Sequence, residues 1–429
     1  MSRLDIKSDD YYRSLTDRLI TAARNIGADL SVSLREGVEF GVTVRDKEIE
    51  ELEEASSSVI SLSVNIGNKV ATATSNDLST NMLDQLLLST IERAKLSSVD
   101  DSAIFPTFQR LDFDPGKLEL YSESIHSITP DKAILLAQQL EERCSSDSRI
   151  TLSLGASFSR NEYHNVLALS NGFWGSSRRT SCSLGVGLQA GEEESAYQSG
   201  WSDSAIDQNR LLSVDEISIK AIEHTTRMLD ARKIETQTLP VLVDRYVSGQ
   251  IIGFLLQCIN GRNIYTNQSL FTGKLGEQIA NSNLTLYDEP LLPGALGSRA
   301  FDSEGIPCRH NLLIDKGVLS NYILNTYTSH KLRLPVNGMA SGTSNLIMGP
   351  GKYQENDLIQ SIDKGILLLD TIGQGTDTTT GGFSKGAFGI MIENGKLTYP
   401  VSEITISSSI DKMLMGIDKI GNNADERKS

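Results

Sequence analysis

Apolar residues recur along this chain with two different periods. Tyr12, Leu15, Leu19, Ala22 and Ile26 return at helical spacing, and Gly27 can take the left-handed conformation that closes a helix. Alternation with period two follows over 39–45 and 58–66, with a further strand at 69–74, because successive strand side chains point to opposite faces. Residues 82–94 return to the helical period. Residues 97–117 are polar and contain Pro106 and Pro115, which predicts a loop crossing. A helix at about 130–143 precedes strands at 150–157, 163–169 and 180–189. Helix, strand, turn, strand thus occurs twice, the outline of an internal structural duplication without the residue identity of a repeat. A third helix opens at Ser213, where Ser213 and Glu216 have capping-box spacing.

Beyond Arg232 the character changes. Gly, Asn and Asp turns become frequent and short strands dominate. Asp315-Lys316-Gly317 and Asn394-Gly395 each separate two apolar runs as hairpin turns do, since Gly accepts the positive φ these need. The expected fold is α+β. Residues 1–232 form an N-terminal α/β-type domain with a mixed sheet, and residues 233–429 form a β-rich C-terminal domain with helices at about 247–259 and 409–420. On the last helix Ile410, Met413, Leu414 and Ile417 share a face, Ser408 and Asp411 stand at its start and Gly421 at its end. That face is expected to serve assembly or to pack on its own domain.

Composition narrows the function classes. With 39% hydrophobic and 22% charged residues over 429 positions, the chain reads as an ordinary globular protein of two or three domains. It has no apolar run long enough to cross a bilayer and no signal-peptide stretch at its start, so no membrane role and a cytoplasmic location are expected. The four cysteines, Cys144, Cys182, Cys258 and Cys308, lie at least 38 positions apart, which excludes a CxxC pair and favours buried thiols. A net charge of -15 without a Lys/Arg cluster argues against nucleic acid as a partner.

Candidate chemistry is sparse. The five histidines are His126, His164, His224, His310 and His330, and no two share a helical face at ligand spacing. His224 falls on the face of Ile217, Ala221 and Met228 and reads as a packed histidine. Cys308 and His310 would share a face on a strand, but two ligands are too few for zinc. Gly382-Phe383-Ser384-Lys385-Gly386 matches GxSxG, yet a nucleophile elbow needs a strand before the serine and a helix after it, and here a strand-like run follows. The wider loop at 373–389 holds six glycines and could bring backbone N–H groups to a ligand, but has no GK[ST] ending. Residues 297–305 hold Arg299, Asp302 and Glu304; paired carboxylates can do acid–base work, but a polar turn with a local Arg–carboxylate pair is the favoured reading.

Three stretches resemble the TldD/PmbA family: FTGKLGEQIA at 271–280, GSRAFDSEGIPCRHNLLIDKGVLSNYIL at 297–324, and TGGFSKGAFGIMIENGKLTYPVSEITI at 380–406, followed by DKMLMGIDKIGNN at 411–423. TldD-type members carry HExxxH on a helix just before the FxGxxGE element and bind the catalytic zinc there. PmbA-type (TldE) members lack it and pair with a TldD-type subunit in a complex that degrades or trims flexible cytoplasmic peptides, including antitoxin and microcin-type precursors. Here the window falls on residues 252–257, with Ile252, Gly253 and Gln257 at the ligand and base positions. The resemblance therefore implies a zinc-less, non-catalytic subunit, with no cofactor of its own, zinc on the partner, peptide substrates, and a homodimer as a further assembly. Arg299, Phe301, Asp302, Glu304, Gly382, Ser384 and Gly386, within the resembling stretches, are its candidates for peptide binding or channel lining. A metallopeptidase active alone, using Cys308 and His310, and a protein-binding modulator without peptidase role, as in the family's DNA-gyrase name, are the alternatives. Family members usually continue past the GNN region into a final strand, so an edge of the C-terminal sheet is expected to be open or closed by a partner.

Overall fold

A computed structural model describes residues 7–193 and 196–425. Helix α1 (Asp9–Arg24) forms where Tyr12, Leu15, Leu19 and Ile20 make one buried face; Ser8 caps it by accepting from the Tyr11 N–H, and Gly27 follows at φ 74°. Strands β1 (Asp29–Arg45), β2 (Glu48–Ile66) and β3 (Lys69–Ser75) form an antiparallel meander ahead of α2 (Thr80–Leu96). After the loop crossing, α3 (Pro130–Ser145) leads into a second meander of β4 (Ile150–Leu169), β5 (Trp174–Ala190) and β6 (Tyr197–Ala205), closed by α4 (Val214–Thr226). The meanders join through β1 and β4 into a six-stranded sheet of order β3-β2-β1-β4-β5-β6. Each meander is flanked by a helix on either side in sequence, so the duplication outlined by the pattern is present in the topology. The capping box at Ser213 and Glu216 forms as expected.

Two differences from the sequence reading have physical causes. The N-terminal sheet is antiparallel throughout, because its strands are joined within each meander by short turns, whereas parallel neighbours need a long crossover. The mixed sheet belongs to the C-terminal half. The strands at 150–157 and 163–169 are also one continuous strand, β4. Arg160, Glu162 and His164 keep the period of two across the gap and are buried on the helix-covered face.

Helices α1–α4 cover one face of this sheet, in two apolar clusters around Leu30, Leu34, Leu62 and Leu83, and around Phe40, Phe158, Leu140 and Ile217. Glu141 on α3 is buried and accepts the N–H groups of Asp46 (3.0 Å) and Lys47 (2.8 Å), which fixes the positive-φ turn between β1 and β2.

The C-terminal half opens with β7 (Val241–Val243), α5 (Arg245–Cys258) and α6 (Gly261–Tyr265). Strands β8 (Leu286–Asp288), β9 (Asn311–Asp315), β10 (Val318–Leu319) and β11 (Leu346–Met348) form a small sheet ordered β10-β9-β8-β11, with α7 (Thr326–Leu332) between β10 and β11. After α8 (Glu355–Gln360), strands β12 (Lys364–Ile372), β13 (Gly382–Glu393) and β14 (Lys396–Ser409) form the second sheet, ordered β14-β13-β12-β7, in which β7 runs parallel to β12. Both hairpin turns occur where the sequence placed them, with Lys316 and Gly317 at φ 46° and 85° and Asn394 and Gly395 at φ 52° and 70°. The last helix, α9 (Ile410–Met415), is much shorter than expected and ends at Gly416 rather than Gly421. Asn281 donates its N–H to the Leu414 carbonyl and Asn283 its side-chain amide to that of Asp418, so these carbonyls are taken from outside the helix. Its apolar face packs inward: Ile410 and Leu414 are buried with α5, and Met413 and Ile417 lie against the same core. No helix among the described residues is long and apolar enough to cross a membrane.

Candidate functional site

Helix α5 carries residues 252–257, and its sequence makes it a core helix. Asp244 caps it, accepting from the Tyr246 N–H at 2.8 Å, and Val247, Ile251, Ile252, Phe254, Leu255 and Cys258 are buried. Positions 252 and 257 are five residues apart, about 140° around a regular helix. Accordingly Ile252 is only 5% exposed while Gln257 faces solvent. Gly253 has nothing within 4 Å of where a Cβ would stand. An alkyl chain, a hydrogen and a neutral amide supply neither the ligands nor the base that a zinc peptidase requires, so these residues do not fit the ion. Among the described residues no group of three or more His, Cys, Asp or Glu could hold a metal ion.

The glycine-rich segment lies against this helix. Phe383 on β13 is buried, with its ring 6.2 Å from that of Phe254. Ser384 next to it is exposed on extended backbone, pairs with Ser407 of β14, and donates its N–H to the Gly375 carbonyl at 2.6 Å. A Cβ on Gly375 would come within 1.6 Å of the Ser384 carbonyl oxygen, so only glycine allows this crossing. Gly382 and Gly386 flank Ser384 on the same strand. With strand both at and after the serine, no nucleophile elbow forms.

Arg299, Phe301, Asp302 and Glu304 gather elsewhere, where the C-terminal half meets the six-stranded sheet. Phe301 stands edge-on to Phe173 at 5.0 Å, over Gly175, where a Cβ would lie 2.7 Å from its ring. Asp302 is buried and accepts the N–H groups of Glu304 (2.9 Å), Ile306 (3.0 Å) and Ala340 (3.0 Å). Glu304 accepts both the N–H (2.7 Å) and the hydroxyl (2.5 Å) of Thr326 at the start of α7. Burial raises both carboxyls above the ordinary range, against the pull of these donors. Arg299 directs its guanidinium to the carbonyls of Gly342 (2.6 Å) and Ser341 (3.4 Å), not into a carboxylate pair. Both oxygens of Asp302 and one of Glu304 are engaged by donors that hold loops, so this cluster is a clasp.

Cys308 and His310 do not converge. Cys308 is buried, donates to the Gly338 carbonyl at 3.2 Å, and has its thiol pushed up to about 12 by burial; His310 is exposed beside Glu289 at 3.0 Å. His224 packs between the rings of Trp201 (4.7 Å) and Tyr246 (5.2 Å), a partly buried aromatic contact as its helical face implied. The four cysteines are all buried free thiols.

One polar group was missed by the sequence reading. On the helix-covered face, Glu162 receives Arg178 at 2.8 and 2.5 Å and lies 3.3 Å from His126, while His164 lies 3.4 Å from Asp9 and Tyr12 donates to Glu36. Its signal was present: polar residues at consecutive inward positions of β4. On the opposite face, the Arg35 guanidinium lies 3.8 Å from the Tyr163 ring centroid, and the Tyr163 hydroxyl donates to Glu39 at 2.6 Å.

Three family models match in order: the PmbA/TldA metallopeptidase domain 1 over residues 30–98, its central domain over 123–229, and its C-terminal domain over 236–429. The chain is 30% identical over 417 residues to the metalloprotease PmbA of Escherichia coli O157:H7, covering 96% of this chain and 90% of that one. It is 24% identical over 229 residues to a metalloprotease TldD homologue of Buchnera aphidicola, covering 51% and 47% of the two chains. A solved structure from Bacteroides thetaiotaomicron, described as a modulator of DNA gyrase, superposes with a TM-score of 0.90 at 29% identity, covering 97% of this chain and 95% of that one. TldE of Thermococcus kodakarensis shares the fold, with a TM-score of 0.82 at 18% identity over 94% and 92% of the chains. With matches spanning both halves and including the core helix, the glycine-rich strand and the clasp, the chain belongs to the PmbA/TldD metallopeptidase family.

Proposed function

We propose that this chain is the zinc-less, PmbA/TldE-type subunit of a two-component metallopeptidase. A TldD-type partner supplies the zinc, and together they degrade or trim flexible peptides in the cytoplasm. The observation that carries this reading is the chemistry of α5. At the positions of the family's metal motif stand Ile252, Gly253 and Gln257, with Ile252 turned into the core. No step of peptide hydrolysis is assigned to the side chains of this subunit. Its work is to support the partner and to present surface to the peptide, for which the glycine-rich strand at Gly382, Ser384 and Gly386 and the clasp at Arg299, Phe301, Asp302 and Glu304 are the candidates. The separated positions of Cys308 and His310 weigh against a peptidase active alone.

The test is reconstitution. The purified chain is expected to hold no stoichiometric zinc and to leave a flexible peptide intact, and cleavage sensitive to a chelator is expected when a TldD-type subunit is added. One tightly held zinc per chain, or chelator-sensitive cleavage by the isolated chain, would overturn the reading. Ser384→Ala is expected to leave the reconstituted activity intact, and labelling of Ser384 by a fluorophosphonate would contradict the strand geometry.

A further inference from the structure

The face of the six-stranded sheet opposite helices α1–α4 carries mainly small polar residues, among them Ser33, Ser177 and Ser181. Arg35 of β1 and Arg179 of β5 interrupt it, near Arg299 of the C-terminal half. Tyr163 pairs with Gly37 on one side and Arg179 on the other, and Arg35 pairs with Asn165 one step along the same face. Gly37 leaves room for the Tyr163 ring, which would lie 2.5 Å from a Cβ there. Arg35 is exposed and stacks on that ring, so its guanidinium is positioned without being neutralised. Arg179 is partly buried and donates to the carbonyl of Ser298, the residue before Arg299, which brings the third guanidinium to the same corner.

The charges there are not balanced evenly. Arg299 also faces Asp288 and Asp302, whose oxygens are taken by hydroxyl and backbone donors. Glu39, the carboxylate beside Arg35, is tied to the Tyr163 hydroxyl. Among the described residues, the charges that act on Arg179 are those of arginines and not of a carboxylate. Burial, and then the charges of Arg299 and Arg35, hold its guanidinium below the usual arginine range. Like charges gathered at a partly desolvated corner repel one another unless an anion enters, and planar guanidinia match the paired oxygens of a carboxylate or phosphate.

We propose that Arg35, Arg179 and Arg299 form a subsite for an oxyanion, at the border between the open sheet face and the clasp. Its ligand is the C-terminal carboxylate of a peptide lying on the sheet or a free phosphate, which present the same chemistry. The carboxylate source rests on the peptide function proposed above, and the subsite itself does not.

The experiment is equilibrium binding to the isolated full-length chain, without the zinc subunit, so failed reconstitution and a failed subsite give separate results. The probes are a flexible peptide with a free C-terminus, the same peptide as its C-terminal amide, and inorganic phosphate. The free acid is expected to bind roughly tenfold or more tightly than the amide, as for a charge-assisted contact. Arg35→Gln should remove most of that difference, and Glu39→Gln should strengthen binding of the acid by removing a competing negative charge. Both positions are exposed, so neither variant depends on the fold surviving a core change. Phosphate binding that Arg35→Gln weakens, without preference for the free acid, assigns the subsite to phosphate. Equal binding of acid and amide together with phosphate binding indifferent to Arg35→Gln and Glu39→Gln would overturn the proposal.

Discussion

At Asp302 and Glu304, burial and hydrogen bonding act in opposite directions, and burial prevails. Asp302 satisfies three backbone N–H groups from two chain segments, so Asp302→Ala would leave buried donors without partners. The expected loss is about 3 kcal/mol or more by chemical denaturation, since each orphaned buried group costs roughly 1–3 kcal/mol. Glu304 gives a cleaner pH test. Its single engaged oxygen accepts both donors of Thr326, which a glutamine carbonyl oxygen can also do. A carboxyl whose folded pKa lies above its unfolded value binds protons more tightly in the folded chain. Its contribution is therefore full below the unfolded pKa, about 4.3 for glutamate, and declines as pH rises through the folded value. Glu304→Gln should accordingly lose less stability than the parent chain between pH 4 and pH 7. Parallel profiles would mean that the protonated form of Glu304 is not favoured by folding.

At the scale of the element, α5 illustrates what the sequence discloses. Its helical character and its lack of ligands were legible in local spacing, as were the Ser213–Glu216 cap and both hairpin turns, because each depends on residues within a few positions. The inward row of Arg160, Glu162 and His164 was not. Polar residues at core positions imitate a strand break until their partners are known, and Glu162 finds His126 and Arg178 from other elements. The clasp was hidden for the same reason: Asp302 meets Ala340, and Glu304 meets Thr326, across long stretches of chain. Helix α9 fell short of its expected length where Asn281, far away in sequence, takes the Leu414 carbonyl. The inward placement of Ile252 leads to a prediction for α5. Ile252→His exchanges a buried alkyl chain for an imidazole without a partner, and should cost about 2–4 kcal/mol. Thermal melts and metal analysis of the same variant should show lost stability with no zinc gained; an undiminished melting temperature would mean that position 252 is not in the core.

Across the whole molecule, two of the contacts that join the N-terminal half to the C-terminal half differ in kind and should differ in weight. One is polar: Asp100 receives the Tyr327 hydroxyl at 2.7 Å and Lys331 at 3.2 Å, close to where His330 meets Ser102 at 3.1 Å. The Lys331–Asp100 pair is solvated on both sides, and an exposed ion pair adds little and fades with salt. The other is apolar: Phe301 stands on Phe173 and Gly175, beside Leu167, Leu169 and Phe105. Burying an aromatic ring edge-on to another outweighs a screened ion pair, so the apolar contact should dominate. Phe301→Ala is expected to lower the stability of the full chain by about 2 kcal/mol, less than a fully buried ring because Phe301 is itself only partly covered. Asp100→Ala should lower it by less, and by less still at high salt, where the Lys331 pair is screened. Denaturant titrations of both variants at low and high salt separate the two contributions. If Asp100→Ala proved the more damaging at high salt, the polar contact would outweigh that of Phe301.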